Sequence, residues 1–403
     1  MTDWQALDQK YLMPTYSGQK LPIAIEKGEG NYLYDETGKR YLDLFAGLAV
    51  NIIGHSHPEI MKTLKAQGEK FLHISNIYLN KPAIGLAETL VEHSIPGKVF
   101  FANSGAEATE AAIKLIHKWR VKQAPERDGI VVLEKSFHGR TLGALKLTRQ
   151  PGIQQDFPQP AFEVIEVEKE NLAALREAFE NHPPLAVLME PVLGSGGVYP
   201  LSEDYLQGVA KLCSEYGVLL CMDEIQTGVG RTGELFAYQH AEIQPDLILF
   251  AKGIGGGLPL GGIIAGEKLA DCFGPGDHGT TFAPSPLSAA LGKTVIEILL
   301  EKGQLEEGRE NAAYLWSRLA DLKLEFPETL AEIRGKGMMI GVVTNQDAEF
   351  ISELRKSMVN KGFLIDVTQK TIIRLLPPLT LANEDIDSFI EALKETITEL
   401  VSQ

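Results

Sequence analysis

The chain has 403 residues, of which 38 are Lys or Arg and 54 are Asp or Glu, for a net charge of −16 at pH 7. With 44% hydrophobic and 23% charged residues it has the composition of a globular protein, long enough for two to three domains and a large buried core. The acid excess argues against nucleic acid or an anionic membrane as a partner, and no apolar run is long enough to span a bilayer.

The opening MTDWQALDQKYLMP lacks the basic start and apolar run of a secretory signal. Cys213, Cys221 and Cys272 lack metal-like spacing and are too few for a disulfide framework, which points to a reducing compartment, the cytoplasm. The first 50 residues look irregular and strand-rich. GEGNYLYDETGKRYLDLFAG alternates aromatic or aliphatic residues with turn-formers, as short antiparallel strands do. From about residue 85 short apolar runs (KVFFA, GIVVLE, LAVLME, VLLCMDE, DLILFA) alternate with amphipathic segments such as AEATEAAIKLIHKWR and SEDYLQGVAKLCSEYG. That is the pattern of an α/β protein whose large domain has a mostly parallel sheet flanked by helices. Past residue 285 come two long helical patterns, LSAALGKTVIEILLEKG and QLEEGRENAAYLWSRLADLK. The tail then reads strand, helix, strand, strand, helix through GMMIGVVT, EFISELRKSMVNKG, FLIDV, TIIRLL and EDIDSFIEALKETITELVS. The expected division is a large domain over 51–290 and a smaller α+β domain over 291–403, with segment 1–50 packing against the smaller domain.

Glycine is the compositional oddity, with 39 residues, roughly a tenth of the chain where about 7% is usual. The glycines cluster around Ser104, at 194–197, at 228–233 and at 253–262, each just after an apolar run. Those are the C-terminal ends of strands, where open α/β sheets bind ligands. In VFFANSGAEATEAA the free N–H groups of Gly105 and Ala106, with the Ser104 hydroxyl, could hold a phosphate at a helix N-terminus. An S-x-x-E capping box, Ser104 with Glu107, explains the same residues equally well. Gly228 to Gly233 matches G-x-G-x-x-G, but five residues separate it from its strand and no acid follows at the end of a second strand, so a dinucleotide site is not expected. Asp223 and Glu224 end a strongly apolar strand, so a carboxylate there is buried and needs a partner. Lys252 ends another such strand; there it either snorkels to solvent or loses its proton readily and serves as a nucleophile. A phosphate cradle, a buried acid and a desolvated lysine on separate strand ends are together what pyridoxal 5′-phosphate requires. No H-x-x-x-H or His–carboxylate cluster supports a metal site, and no G-x-S-x-G elbow supports a serine hydrolase.

FFANSGAEATEAA, SFHGRTLGAL, MDEIQTGVGRTG, FAKGIGGGLPLGG and HGTTF, in this order, closely resemble the class III aminotransferases of the fold-type I superfamily. The likeness runs from GEGNYLYD to IIRLLPPLT, and AGLAVNIIGHSHPEI and ISNIYLN are most like the acetylornithine aminotransferases. The resemblance implies that Lys252 is the lysine bound to the cofactor and that Asp223 partners the pyridine nitrogen. It gives Gln226 to the ring's phenolic oxygen, and Phe137 with its neighbour His138 to the ring. Ser104, Gly105 and Ala106 form the phosphate cradle. Thr281 reaches the phosphate from the neighbouring subunit, which implies a homodimer with shared sites, and Thr280 beside it falls to the substrate. Arg140 is expected to bind the α-carboxylate of an ω-amino substrate and the side-chain carboxylate of glutamate, and Arg374 the α-carboxylate of glutamate. The implied reaction is ping-pong transfer of the terminal amine of N-acetyl-L-ornithine to 2-oxoglutarate, as in arginine biosynthesis. The alternative is another class III ω-amine donor such as 4-aminobutyrate, putrescine or ornithine.

Two departures bear on specificity. Where such enzymes usually read E-P-V-Q-G-E-G-G, this chain reads EPVLGSGG, so that Leu193 replaces a Gln and Ser195 a Glu that neutralises the Arg374 equivalent. HGTTF is followed by Ala-Pro-Ser-Pro rather than Gly-Gly-Asn-Pro.

Overall fold

The computed structural model describes residues 3–15, 20–150 and 152–402. At its centre, strands Ile130–Leu133, Ala186–Met189, Leu219–Asp223 and Leu247–Phe250 are buried at every position, because helices cover both faces of the sheet. Seven strands pair in the order Gly97–Ala102, Gly261–Gly266, Leu247–Phe250, Leu219–Asp223, Ala186–Met189, Ile130–Leu133, Val164–Val167. Only Gly261–Gly266 runs antiparallel to its neighbours, so the expected mostly parallel sheet is found. That strand is glycine-rich for a local reason: a Cβ on Gly261 would lie 2.7 Å from the Ser104 carbonyl oxygen. The bare backbone lets the turn before helix Gly105–Gln123 rest on the sheet.

The C-terminal part forms a second, antiparallel sheet in the order Leu330–Lys336, Met339–Thr344, Ile372–Leu375, Asp366–Thr368. Helices Gln304–Glu325, Ala348–Lys361 and Asn383–Val401 pack together beside it. Strand Leu330–Lys336 escapes a sequence reading because LAEIRGK carries three charges and a glycine and is mostly half-buried. FLIDV, expected as one strand, is broken at Ile365 and serves two sheets. Phe363–Leu364 pairs in parallel with Arg40–Asp43 of an N-terminal antiparallel sheet, and Asp366–Thr368 pairs with Ile372–Leu375. The same N-terminal region opens with a helix, Trp4–Tyr11, capped by Asp3, in a segment expected to be irregular and strand-rich. Among the described residues no helix is long and apolar enough to cross a membrane.

Candidate active site

The C-terminal ends of the central strands and strand Ile372–Leu375 of the second sheet border a cavity of about 640 Å³. It is lined by Ser104, Gly105, Ala106, Phe137, His138, Arg140, Asp223, Gln226, Lys252 and Arg374, ten of the twelve residues the sequence singles out. Ser104 caps helix Gly105–Gln123 by accepting from the Glu107 N–H at 3.2 Å. Glu107 reaches back to Asn103, taking its backbone N–H at 2.6 Å and its side-chain amide at 2.9 Å. The capping box therefore exists, displaced by one residue. The N–H groups of Gly105 and Ala106 stay at the open end of the helix, where an anion is favoured. Capping and anion binding are compatible here.

Neighbouring carboxylates at the end of strand Leu219–Asp223 face opposite ways. Glu224 turns from the cavity, accepting from the Thr227 hydroxyl and, at 2.8 Å, from the Tyr238 N–H. Burial pushes its carboxyl up to about 7. Asp223 faces the cavity, accepting from the Ile225 N–H at 3.1 Å and facing Nδ1 of the buried His138 at 2.6 Å. A carboxylate bound in this way is fixed in direction and can hold a protonated ring nitrogen opposite it.

Lys252 follows strand Leu247–Phe250 in a left-handed backbone conformation, φ +51°, which is uncommon for a residue with a side chain and is found preferentially at functional sites. Burial lowers its ammonium from 10.5 to about 8, and the Arg374 cation acts in the same direction. A sizeable neutral fraction near pH 8 makes the amine a nucleophile and a base.

The two arginines differ. Arg140 is exposed, and its guanidinium carbon lies 5.3 Å from the centre of the Phe137 ring. Arg374 is 7% exposed and bound to Asp366, from Nε at 2.8 Å and from Nη2 at 2.6 Å, both to Oδ2. Its Nη1 is buried without a partner.

Two of the expected residues do not reach this cavity in their own chain. Thr280 binds Asn103 through its hydroxyl at 3.0 Å and Asn76 through its carbonyl at 2.9 Å, and Thr281 lies exposed on the surface. The G-x-G-x-x-G segment is no dinucleotide loop. Its Arg231 is fully buried and donates to the carbonyls of Met338 and Pro377, which ties the loop after strand Leu219–Asp223 to the C-terminal sheet. Sequence reading overlooked Glu190 and Asp366. Glu190 lines the cavity and accepts from the Phe137 N–H at 2.9 Å and the Gly194 N–H at 3.1 Å. Burial pushes its carboxyl up to about 7, opposed by His138 and reinforced by Asp223. Each carries the signal that exposed Asp223: an acid ending or interrupting an apolar run, LAVLME or FLID.

Comparison with known proteins decides the family. The class-III aminotransferase profile matches residues 15–397. This chain is a class III aminotransferase. It is 40% identical to an acetylornithine aminotransferase of Caldanaerobacter subterraneus subsp. tengcongensis, over 98% of both chains. It is 39% identical to that of Methanocaldococcus jannaschii, over 99% of this chain and 98% of the relative. Among solved structures, the ornithine aminotransferase of Toxoplasma gondii ME49 superposes with a TM-score of 0.93 at 27% identity, covering 99% of this chain and 95% of that one. The N-acetylornithine aminotransferase of Stenotrophomonas maltophilia K279a gives 0.83 at 30% identity, covering 98% and 99%. These likenesses fix the α/β architecture as the fold-type I aminotransferase fold, and the cofactor of the class is pyridoxal phosphate.

The residues present fit that cofactor. The side-chain oxygen of Gln226 is buried without a partner in the cavity, and its amide can turn to present either a donor or an acceptor. A Cβ on Gly194 would collide with that amide, so a bare backbone keeps the space open. A helix N-terminus, a fixed carboxylate and a desolvated amine complete the match to phosphate, ring nitrogen and carbonyl.

Proposed function

We propose that this aminotransferase moves the terminal amine of N-acetyl-L-ornithine to 2-oxoglutarate, giving N-acetylglutamate semialdehyde and glutamate. The observation that carries the reading is identity of about 40% over nearly the full length of relatives named acetylornithine aminotransferase. One cavity that holds a half-buried lysine and two arginines suits the chemistry.

When bound, pyridoxal phosphate supplies an electron-accepting ring and the carbon that carries the amino group between half-reactions. Ser104 with the N–H groups of Gly105 and Ala106 holds its phosphate, Asp223 keeps a proton on its ring nitrogen, and Gln226 binds its ring oxygen. Phe137 covers one ring face, and Glu190 steadies the Phe137 backbone. His138 keeps the Asp223 carboxylate aimed. Arg140 binds the α-carboxylate of the amine donor and the side-chain carboxylate of 2-oxoglutarate, and Arg374 takes the remaining carboxylate of 2-oxoglutarate as a planar fork. Lys252 Nζ removes the proton from the substrate carbon that bears the amine and later returns one, working near its lowered pKa.

The site belongs, in this reading, to a homodimer in which Thr281 reaches the phosphate held by the other subunit. Thr281 is exposed beside Phe282, 67% exposed, and the surface also presents Ile77 and Leu79, 84% and 86% exposed. Exposed apolar side chains of this kind support a protein contact there. Mixing Thr281→Ala with Lys252→Ala subunits tests it: one intact site per mixed dimer restores activity, whereas a threonine acting within its own chain restores none.

Ser195 favours a second reading, an ω-amine donor such as 4-aminobutyrate, putrescine or ornithine, because the loop lacks the usual acid. A donor panel with 2-oxoglutarate separates the two. N-acetylornithine is expected to give the highest kcat/KM. A value about a hundredfold below 4-aminobutyrate or putrescine, a gap of about 2.7 kcal/mol, overturns the first reading.

A further inference from the structure

We propose that Asp366 sets which substrate end Arg374 accepts, acting as the counter-ion for that arginine in place of an acid at position 195. This rests on the reading above, in which Arg374 binds a carboxylate of 2-oxoglutarate. Asp366 and Arg374 are direct partners across antiparallel strands, so their side chains share one face. The pair is largely shielded, with the arginine side chain 9% exposed and the aspartate side chain 18%. Asp366 spends one oxygen, Oδ2, on the side edge of the guanidinium, Nε and Nη2. The end edge, Nη1 with Nη2, is the one left for a ligand, and Nη1 is buried without a partner beside the cavity.

The acids that line the cavity, Glu190 and Asp223, are engaged elsewhere. Glu190 accepts from Phe137 and Gly194, and Asp223 faces His138 and accepts from Ile225. Ser195 brings no charge. Its carbonyl accepts from the Thr368 hydroxyl at 3.1 Å and the Gln369 amide at 2.7 Å, so the 195 loop is tied to the strand that carries Asp366. The acid has in effect moved across that seam, from loop to strand.

A bare guanidinium in this position would be a buried, unpaired cation whenever an amine donor left that end of the cavity without a carboxylate, and such a charge is costly. It would also attract α-amino acids indiscriminately. With Asp366 in place the pair is neutral for the donor, and an incoming carboxylate gains only the free end edge. Asp366 thereby weakens dicarboxylate binding and favours ω-amines over α-amino acids as donors.

The test uses Asp366→Asn, Asp366→Glu and the double variant Asp366→Asn/Ser195→Glu. The first readout is binding of glutarate, an unreactive dicarboxylate, to the cofactor-free protein by calorimetry. The second is the ratio of kcat/KM for N-acetylornithine to that for an α-amino acid donor such as alanine. Asp366→Asn should bind glutarate about tenfold more tightly, the effect of about 1.4 kcal/mol. The same variant should lower the donor ratio about tenfold. Asp366→Glu should stay near the parent, and the double variant should recover most of both effects. Unchanged glutarate binding and donor ratio in Asp366→Asn overturn the proposal. So does a loss of folding that Ser195→Glu fails to rescue, which would make Asp366 a structural acid only. Failure of the parent enzyme to use 2-oxoglutarate at all would instead sink the reading of function, while glutarate binding still reports on Asp366.

Discussion

At the strand ends of the central sheet, the side chains that line the cavity are held by partners of their own: Asp223 by His138 and Ile225, Glu190 by Phe137 and Gly194, Ser104 by Glu107. In the part of the cavity lined by the arginines, Arg374 on strand Ile372–Leu375 is instead shared between a partner in its own fold and an open edge of its guanidinium, and Arg140, in the loop after strand Ile130–Leu133, stands exposed above Phe137. The first region is suited to hold one rigid cofactor throughout. In the proposed reaction the second accepts two unlike substrates in turn. Prior fixation serves a permanent guest, and an ion pair with a spare edge serves an exchanging one.

If the first region is a fixed cofactor site, Asp223→Asn is the most damaging change short of removing the lysine. It should lower kcat for every donor by about 10³-fold, the upper range for deleting one preorganised electrostatic contact, measured in steady state with saturating cofactor. A loss confined to one donor would place Asp223 with the substrates instead.

The stability of the cofactor-free protein sharpens the same contrast. The Lys252 amine has a folded pKa of about 8 against 10.5 unfolded, so the native state disfavours its proton. The penalty is complete below pH 8 and fades as pH rises towards 10.5. Lys252→Met should therefore stabilise the cofactor-free chain by up to about 3 kcal/mol at pH 7. The gain should shrink at pH 10 in denaturant titrations. A constant gain would mean that the amine is solvated.

Arg140→Ala, in the second region, should cost about 1.5–3 kcal/mol in kcat/KM for both N-acetylornithine and 2-oxoglutarate, with stability unchanged because the side chain is exposed. Equal losses with both substrates support one arginine serving both half-reactions. A smaller effect is expected from Glu190→Gln, whose amide keeps one acceptor for two N–H groups. Loosening the Phe137 loop should raise the cofactor Kd several-fold, about 1 kcal/mol, measured by fluorescence titration.

Much of this was legible in the sequence because strand ends leave strong marks. Continuous apolar runs such as LAVLME and DLILFA announce buried parallel strands, and a charged residue at the end of one has to be explained by something that lies there. Asp223, Lys252 and the glycines around Ser104 were visible for that reason. The edge of the second sheet was not. FLIDV looks like one strand, although Ile365 divides it between two sheets, and strand Leu330–Lys336 carries too many charges to stand out. The bond between Asp366 and Arg374 depends on register across that edge, which eight residues of separation do not reveal. Thr281 shows a different limit, because its expected role lies in the neighbouring subunit's site, while Thr280, expected at the substrate, instead binds Asn103 and Asn76.

Cofactor binding turns on Lys252 above every other residue of the site. Purified protein incubated with pyridoxal phosphate and freed of excess should be yellow, and Lys252→Ala should lose that visible band while keeping the far-ultraviolet circular dichroism of the parent. A colourless parent, or a Lys252→Ala protein with an undiminished band, would contradict it.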